Sequence, residues 1–203
     1  MDSKRALRQL AELRRLGGSM RLAADGWKSE WQCLIATIMS AQSRDETTII
    51  IAERLFEKFD SLDKLAEAKY NDVLNVLSSL NYNRTKARNI IACAQALVRG
   101  YGGKVPHDFD KLIELHGVGR KTANVFLSEY GHDGLAVDTH VFYIARKIGW
   151  SSAHHPHNVE EDLKKLFPSR FWSKVNPILV KFGKLHTSRK HKDVILDEIK
   201  DIK

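Results

Sequence analysis

Residues 115–140, LHGVGRKTANVFLSEYGHDGLAVDTH, decide how this chain is read. Gly117 and Gly119 bracket Val118 between two apolar helical runs, 109–115 and 122–127. The pattern predicts two short helices joined by a tight hairpin. Glycine suits such a turn because it accepts backbone angles closed to other residues and has no Cβ to hold a second backbone away. The amides that open the second helix have no acceptors within it, so a phosphate fits there. A hairpin of this kind grips a sugar–phosphate backbone without reading bases. Alone, it names no activity.

Two residues in the stretch carry chemistry. Lys121 falls in the first turn of the second helix, beside Arg120. Only ~0.04% of a free lysine is neutral at pH 7, and a nucleophilic amine needs that fraction raised by nearby cations or by desolvation. A lysine in this place also suits plain neutralisation of a phosphate. Asp138 follows the apolar run 135–137 and precedes a helix with Val141, Ile144, Ala145 and Ile148 on one face, which makes it an N-cap. A carboxylate facing helix amides stays ionised. That charge can stabilise a cation, or do no more than cap.

Composition narrows the partner. The 203 residues carry a formal net charge of +8, which favours a polyanion, nucleic acid before membrane. The chain has neither a 20-residue apolar run nor a signal-peptide core. We therefore expect an intracellular protein of cytoplasm or nucleoid with no membrane partner. Its only cysteines, Cys33 and Cys93, lie in apolar helical patterns and read as buried thiols, too few for a four-thiolate metal site. His154, His155 and His157 fall in the expected loop 151–158 without a repeated ligand spacing, so no metal is assigned to them.

Helical periodicity runs throughout, and no strand pattern persists. A basic amphipathic helix is expected at 4–16 and an almost wholly apolar one at 30–40, followed by the small and polar residues AQSRD. Further helices are expected at 46–59, 62–68 and 70–79. The polar turn NYNRT (81–85) precedes a helix with Ala87, Ile90, Ile91, Ala94, Leu97 and Val98 on one face. After the Asp138 helix come helices at 159–167 and 171–184, and the tail from Thr187 is basic, then helical around Val194, Ile195, Ile199 and Ile202. The fold class is all-α.

Three blocks, LIATIMSAQSRD (34–45), LHGVGRKTANVFL (115–127) and AVDTHVF (136–142), together resemble the endonuclease III family of helix-hairpin-helix (HhH-GPD) DNA glycosylases, over roughly residues 28–184. The resemblance implies a monomeric two-domain helical fold, with one domain at 22–132 and a second built from 1–21 plus 133–203. It implies a cleft that receives a damaged pyrimidine flipped from duplex DNA, as chemistry on a stacked base requires. The family's nucleophilic lysine falls on Lys121 and its aspartate on Asp138, making a bifunctional glycosylase/AP lyase. Gln42 matches a glutamine that fills the gap left by the flipped nucleotide, and Tyr82 matches the wedge residue. Further DNA contacts are implied at Arg84, Gly117, Val118, Gly119, Arg120, Thr122 and His140, and a base pocket at Ser40 and Asp45.

Two departures from the family stand out. Its iron–sulfur cysteines, spaced C-x₆-C-x₂-C-x₅-C, are replaced by Thr187, Val194, Asp197 and Lys203, so no cofactor is expected and the tail has to pack by side-chain burial. The wedge loop, NYNRTKA (81–87), carries tyrosine where relatives with GLYNSKA carry an aliphatic residue. Two alternatives stay open. A monofunctional mismatch glycosylase would activate water instead of using an amine, and a non-catalytic module would use the hairpin only as a phosphate clamp.

Overall fold

The computed structural model describes residues 2–203, and every regular element among them is helical. The α-helices are α1 (Ser3–Leu16), α2 (Glu30–Ser40), α3 (Asp45–Lys58), α4 (Leu62–Ala66), α5 (Tyr70–Val76), α6 (Asn83–Tyr101), α7 (Phe109–Ile113), α8 (Arg120–Glu129), α9 (Thr139–Lys147), α10 (Pro156–Leu166), α11 (Trp172–Leu185) and α12 (Arg189–Lys200). They form two compact units. One is Arg21–Glu129; the other joins the chain up to Met20 to Tyr130–Lys203.

The Arg21–Glu129 unit is built around α2. Every residue of α2 from Cys33 to Met39 is buried, which is why the helix is apolar on all sides and not only along one stripe. Its one buried hydroxyl, Thr37 Oγ1, donates to Cys33 O at 2.7 Å and so needs no outside partner. Helices α3, α6 and α8 pack on it, and α4 and α5 close the far side of α6 and α3. Cys33 and Cys93 are both free and buried, and burial pushes the Cys93 thiol up to about 12. Such a thiol is unreactive at neutral pH.

In the second unit, Ala6, Leu10 and Leu13 of α1, Val141, Ile144 and Ala145 of α9, and Val175, Leu179 and Phe182 of α11 share one core. Helix α10 begins at Pro156, three residues before the expected start. Proline is pre-set for a first helical position, where its missing N–H costs nothing. His157 therefore lies in the first turn of α10, not in a loop.

The tail forms a full helix anchored at both ends. Leu196 and Ile199 of α12 enter the core, and Lys147 pairs with Asp197 at 2.8 Å. The last carbonyls of a helix lack internal donors, and α1 supplies them here: Gln9 Nε2 donates to Ile199 O at 3.1 Å and Arg5 Nη2 to Lys200 O at 2.5 Å. Gln9 Oε1 in turn accepts from Trp150 Nε1 at 2.7 Å. At the other end Lys192 Nζ donates to Gly183 O at 3.1 Å, and the Arg189 guanidinium stands over the Tyr143 ring. Two of the tail's cations are thus drawn onto the protein itself.

Candidate functional site

The hairpin between α7 and α8 is held by local bonds. Asp108 caps α7 through Lys111 N at 3.0 Å, and Val118 N closes the turn on Leu115 O at 3.0 Å. Gly117 has φ +80°, and a Cβ there would stand 2.9 Å from Asn89 Cβ and 3.1 Å from Ile38 Cγ2. Glycine is demanded twice, by the backbone angle and by the packing of the turn on α6 and α2. Gly119 differs: its φ is ordinary and a Cβ would meet nothing within 4 Å, so its face is open to the outside.

Of the implied DNA contacts in the hairpin, Val118 and Thr122 have buried side chains, and the Val118 N–H is already given to Leu115. These two residues build the hairpin and do not present side chains outward. Arg120 lies over the Phe109 ring at 4.9 Å. Lys121 is exposed in the first turn of α8, with no hydrogen bond or ion pair to any described residue.

Asp138 is the N-cap of α9, and its Oδ1 accepts from Val141 N at 2.9 Å. The carboxylate is half-buried, and its second oxygen makes no hydrogen bond among the described residues. His140, two residues on, packs its ring directly on the backbone of Gly183 in α11, where an added Cβ would fall 2.8 Å from His140 Cγ. Gly183 therefore sets how closely α9 approaches α11.

Gln42 and Tyr82 are the only non-glycine residues with positive φ among those described, +52° and +56°. Ser40 to Ser43 form a type II turn, with Ala41 at φ −54°, ψ 120° and Ser43 N bonded to Ser40 O at 3.0 Å. Gln42 thus occupies the position where glycine is usual. Tyr82 caps α6 in the left-handed region and is 65% exposed. Each such residue costs about 1–3 kcal/mol, and strain of this kind persists where surrounding structure enforces it. Arg84 is exposed on the first turn of α6. The hydroxyl of Ser40 donates to Thr37 O at 2.8 Å, and Asp45 Oδ1 accepts from Ala23 N at 3.3 Å, so both polar groups already serve the fold.

Sequence reasoning passed over Lys86. It is 4% exposed, and its ammonium donates to Ser43 Oγ at 2.8 Å with no carboxylate partner among the described residues. Its position one turn before Ile90 on the apolar face of α6 was the available signal. Burial lowers its pKa from 10.5 to about 8. Between those values the unfolded chain binds more protons than the native one, so stability rises with pH. We expect native protein to gain about 1–2 kcal/mol relative to Lys86→Met between about pH 8 and about pH 9.5 in urea unfolding. Parallel pH profiles would show that the amine does not titrate there.

Among the described residues no group of three or more His, Cys, Asp or Glu side chains is placed to hold a metal ion, and no helix is long and apolar enough to cross a membrane. Residues 35–169 match the HhH-GPD superfamily of base excision DNA repair proteins. The chain belongs to that superfamily. Its HhH-GPD relatives include endonuclease III of Thermotoga maritima, 39% identical over 76% of this chain and 73% of the relative. Endonuclease III of Rickettsia felis is 34% identical over 86% and 83%. A solved trapped endonuclease III–DNA covalent intermediate superposes with a TM-score of 0.85 at 30% identity, over 94% of this chain and 90% of that one. The protein is accordingly a base excision repair DNA glycosylase/AP lyase of the HhH-GPD fold.

Proposed function

We propose that this enzyme excises damaged pyrimidines, oxidised ones foremost, from duplex DNA, with Lys121 as nucleophile. The observation that carries the reading is an exposed amine, without a partner among the described residues, in the first turn of α8, next to the open face of Gly119. The Lys121 amine in its neutral form attacks C1′ with its lone pair. The C1′–N bond breaks, and the base departs with that electron pair and takes up a proton. The nitrogen sheds a proton as the sugar ring opens, leaving a Schiff base. Loss of a C2′ proton then expels the 3′ phosphate with the C3′–O electron pair, so one amine performs both steps. Asp138 supports the first step by balancing positive charge developing on the sugar. Borohydride trapping of the Schiff base on abasic duplex tests this assignment.

The gap left by the flipped nucleotide is filled by Gln42 and Tyr82. High exposure and strained backbones support this role for both, since neither side chain is spent on the core. Stacking of an aromatic ring on a base is worth ~1–3 kcal/mol. Tyr82→Ala should therefore slow excision from lesion duplex by about ten- to a hundredfold, with Tyr82→Leu recovering part of the loss. Cleavage of single-stranded abasic DNA should hardly change. Equal losses on both substrates, with a lower melting temperature, would make Tyr82 structural.

The residues at the family's cluster positions do not fit an iron–sulfur group. Thr187, Val194, Asp197 and Lys203 provide no thiolate, and Asp197 is engaged with Lys147. We infer that the anchoring of α12 by Arg5, Gln9, Leu196 and Ile199 takes its structural place. The purified protein should be colourless and iron-free while fully folded. An iron–sulfur absorbance band that scaled with activity would refute this.

A further inference from the structure

The two strained loops are tied to each other by a small set of bonds. Asn81 Nδ2 donates to Gln42 O at 2.8 Å, bridging the loop before α6 to the turn after α2. Lys86 makes a second bridge with its two ends: its backbone N–H donates to Tyr82 O at 3.0 Å and its ammonium to Ser43 Oγ at 2.8 Å. Ser43 directly follows Gln42, so the Lys86 side chain holds the residue after one left-handed position while its backbone N–H holds the carbonyl of the other.

Burying an ammonium behind a single neutral acceptor is unfavourable for stability. A methionine would fill the same space without that cost. A lysine retained at such a place opposes folding and is explained by what it holds. We infer that Lys86 is a positioning residue for the duplex-filling side chains, fixing the relative placement of Gln42 and Tyr82 through Ser43 and the first turn of α6. This rests on the roles proposed above for those two residues. Pre-set loops meet the duplex without spending binding energy on their own ordering, and removing the brace returns that ordering to the transition state for base flipping.

The test uses full-length protein with Lys86→Met, Ser43→Ala and the double variant. Rates are measured in single turnover on lesion-containing duplex and on single-stranded abasic DNA, alongside melting temperature. Lys86→Met should melt no lower than the parent yet excise from duplex about tenfold more slowly, with a far smaller loss on the single strand. Ser43→Ala should reproduce most of that loss, and the double variant should be no worse than Lys86→Met, because the two changes delete one bridge. A lower melting temperature with equal losses on both substrates would make Lys86 an ordinary core residue, and unchanged duplex excision would remove the brace from the mechanism. Tyr82→Ala is the control. If it shows no duplex-specific loss, the wedge reading itself fails; if it does and Lys86→Met does not, only the brace fails.

Discussion

Lys121→Gln should abolish borohydride trapping on abasic duplex, while the protein still folds and still binds DNA. The Lys121 side chain is exposed and has no hydrogen bond or ion pair among the described residues. Its removal should thus change stability by no more than about 0.5 kcal/mol. Binding loses at most one phosphate-neutralising charge, which flattens the dependence of log affinity on log salt by about one unit. Trapping has no such reserve, because a glutamine amide cannot form a Schiff base. A mere phosphate clamp at this position predicts the opposite, weaker binding with any adduct still formed. Trapping that survives the substitution would reassign the nucleophile, and the monofunctional alternative would gain if parent protein excised base but never trapped.

The second large effect is expected for Asp138→Asn, which separates charge from capping. Asparagine caps helices about as well as aspartate, and its Oδ1 can accept from Val141 N as the carboxylate does at 2.9 Å. Melting temperature should therefore hold. Excision should fall by about a hundredfold or more, the scale on which positioned acid–base and electrostatic groups act. Asp138→Ala adds the loss of the cap, about 1 kcal/mol, to the same catalytic defect. Should Asn retain full activity and Ala lose it together with stability, Asp138 would be a cap and nothing more.

The parts of this molecule that depend on a few neighbouring residues were legible in its sequence. The Asp138 cap is decided within three residues by the amide of Val141, and the all-helical class follows from periodicity along each segment. Gly117 declared itself because a left-handed turn between two apolar runs leaves few other choices. The absence of thiolates from the tail was likewise plain. What replaces them was not: the donors that anchor the end of α12, Gln9 and Arg5, lie about 190 positions away along the chain. Distance along the chain also hid Val118 and Thr122, whose inward packing is settled by the helices around the hairpin. It hid Lys86 too, because charge and burial conflict locally and only contact with Ser43 resolves the conflict. Short-range hydrogen bonds and amphipathic spacing are properties of a segment, and its residues alone determine them. Burial, strain at Gln42 and Tyr82, and the bonds that maintain it arise when segments meet, and the tertiary structure alone decided those.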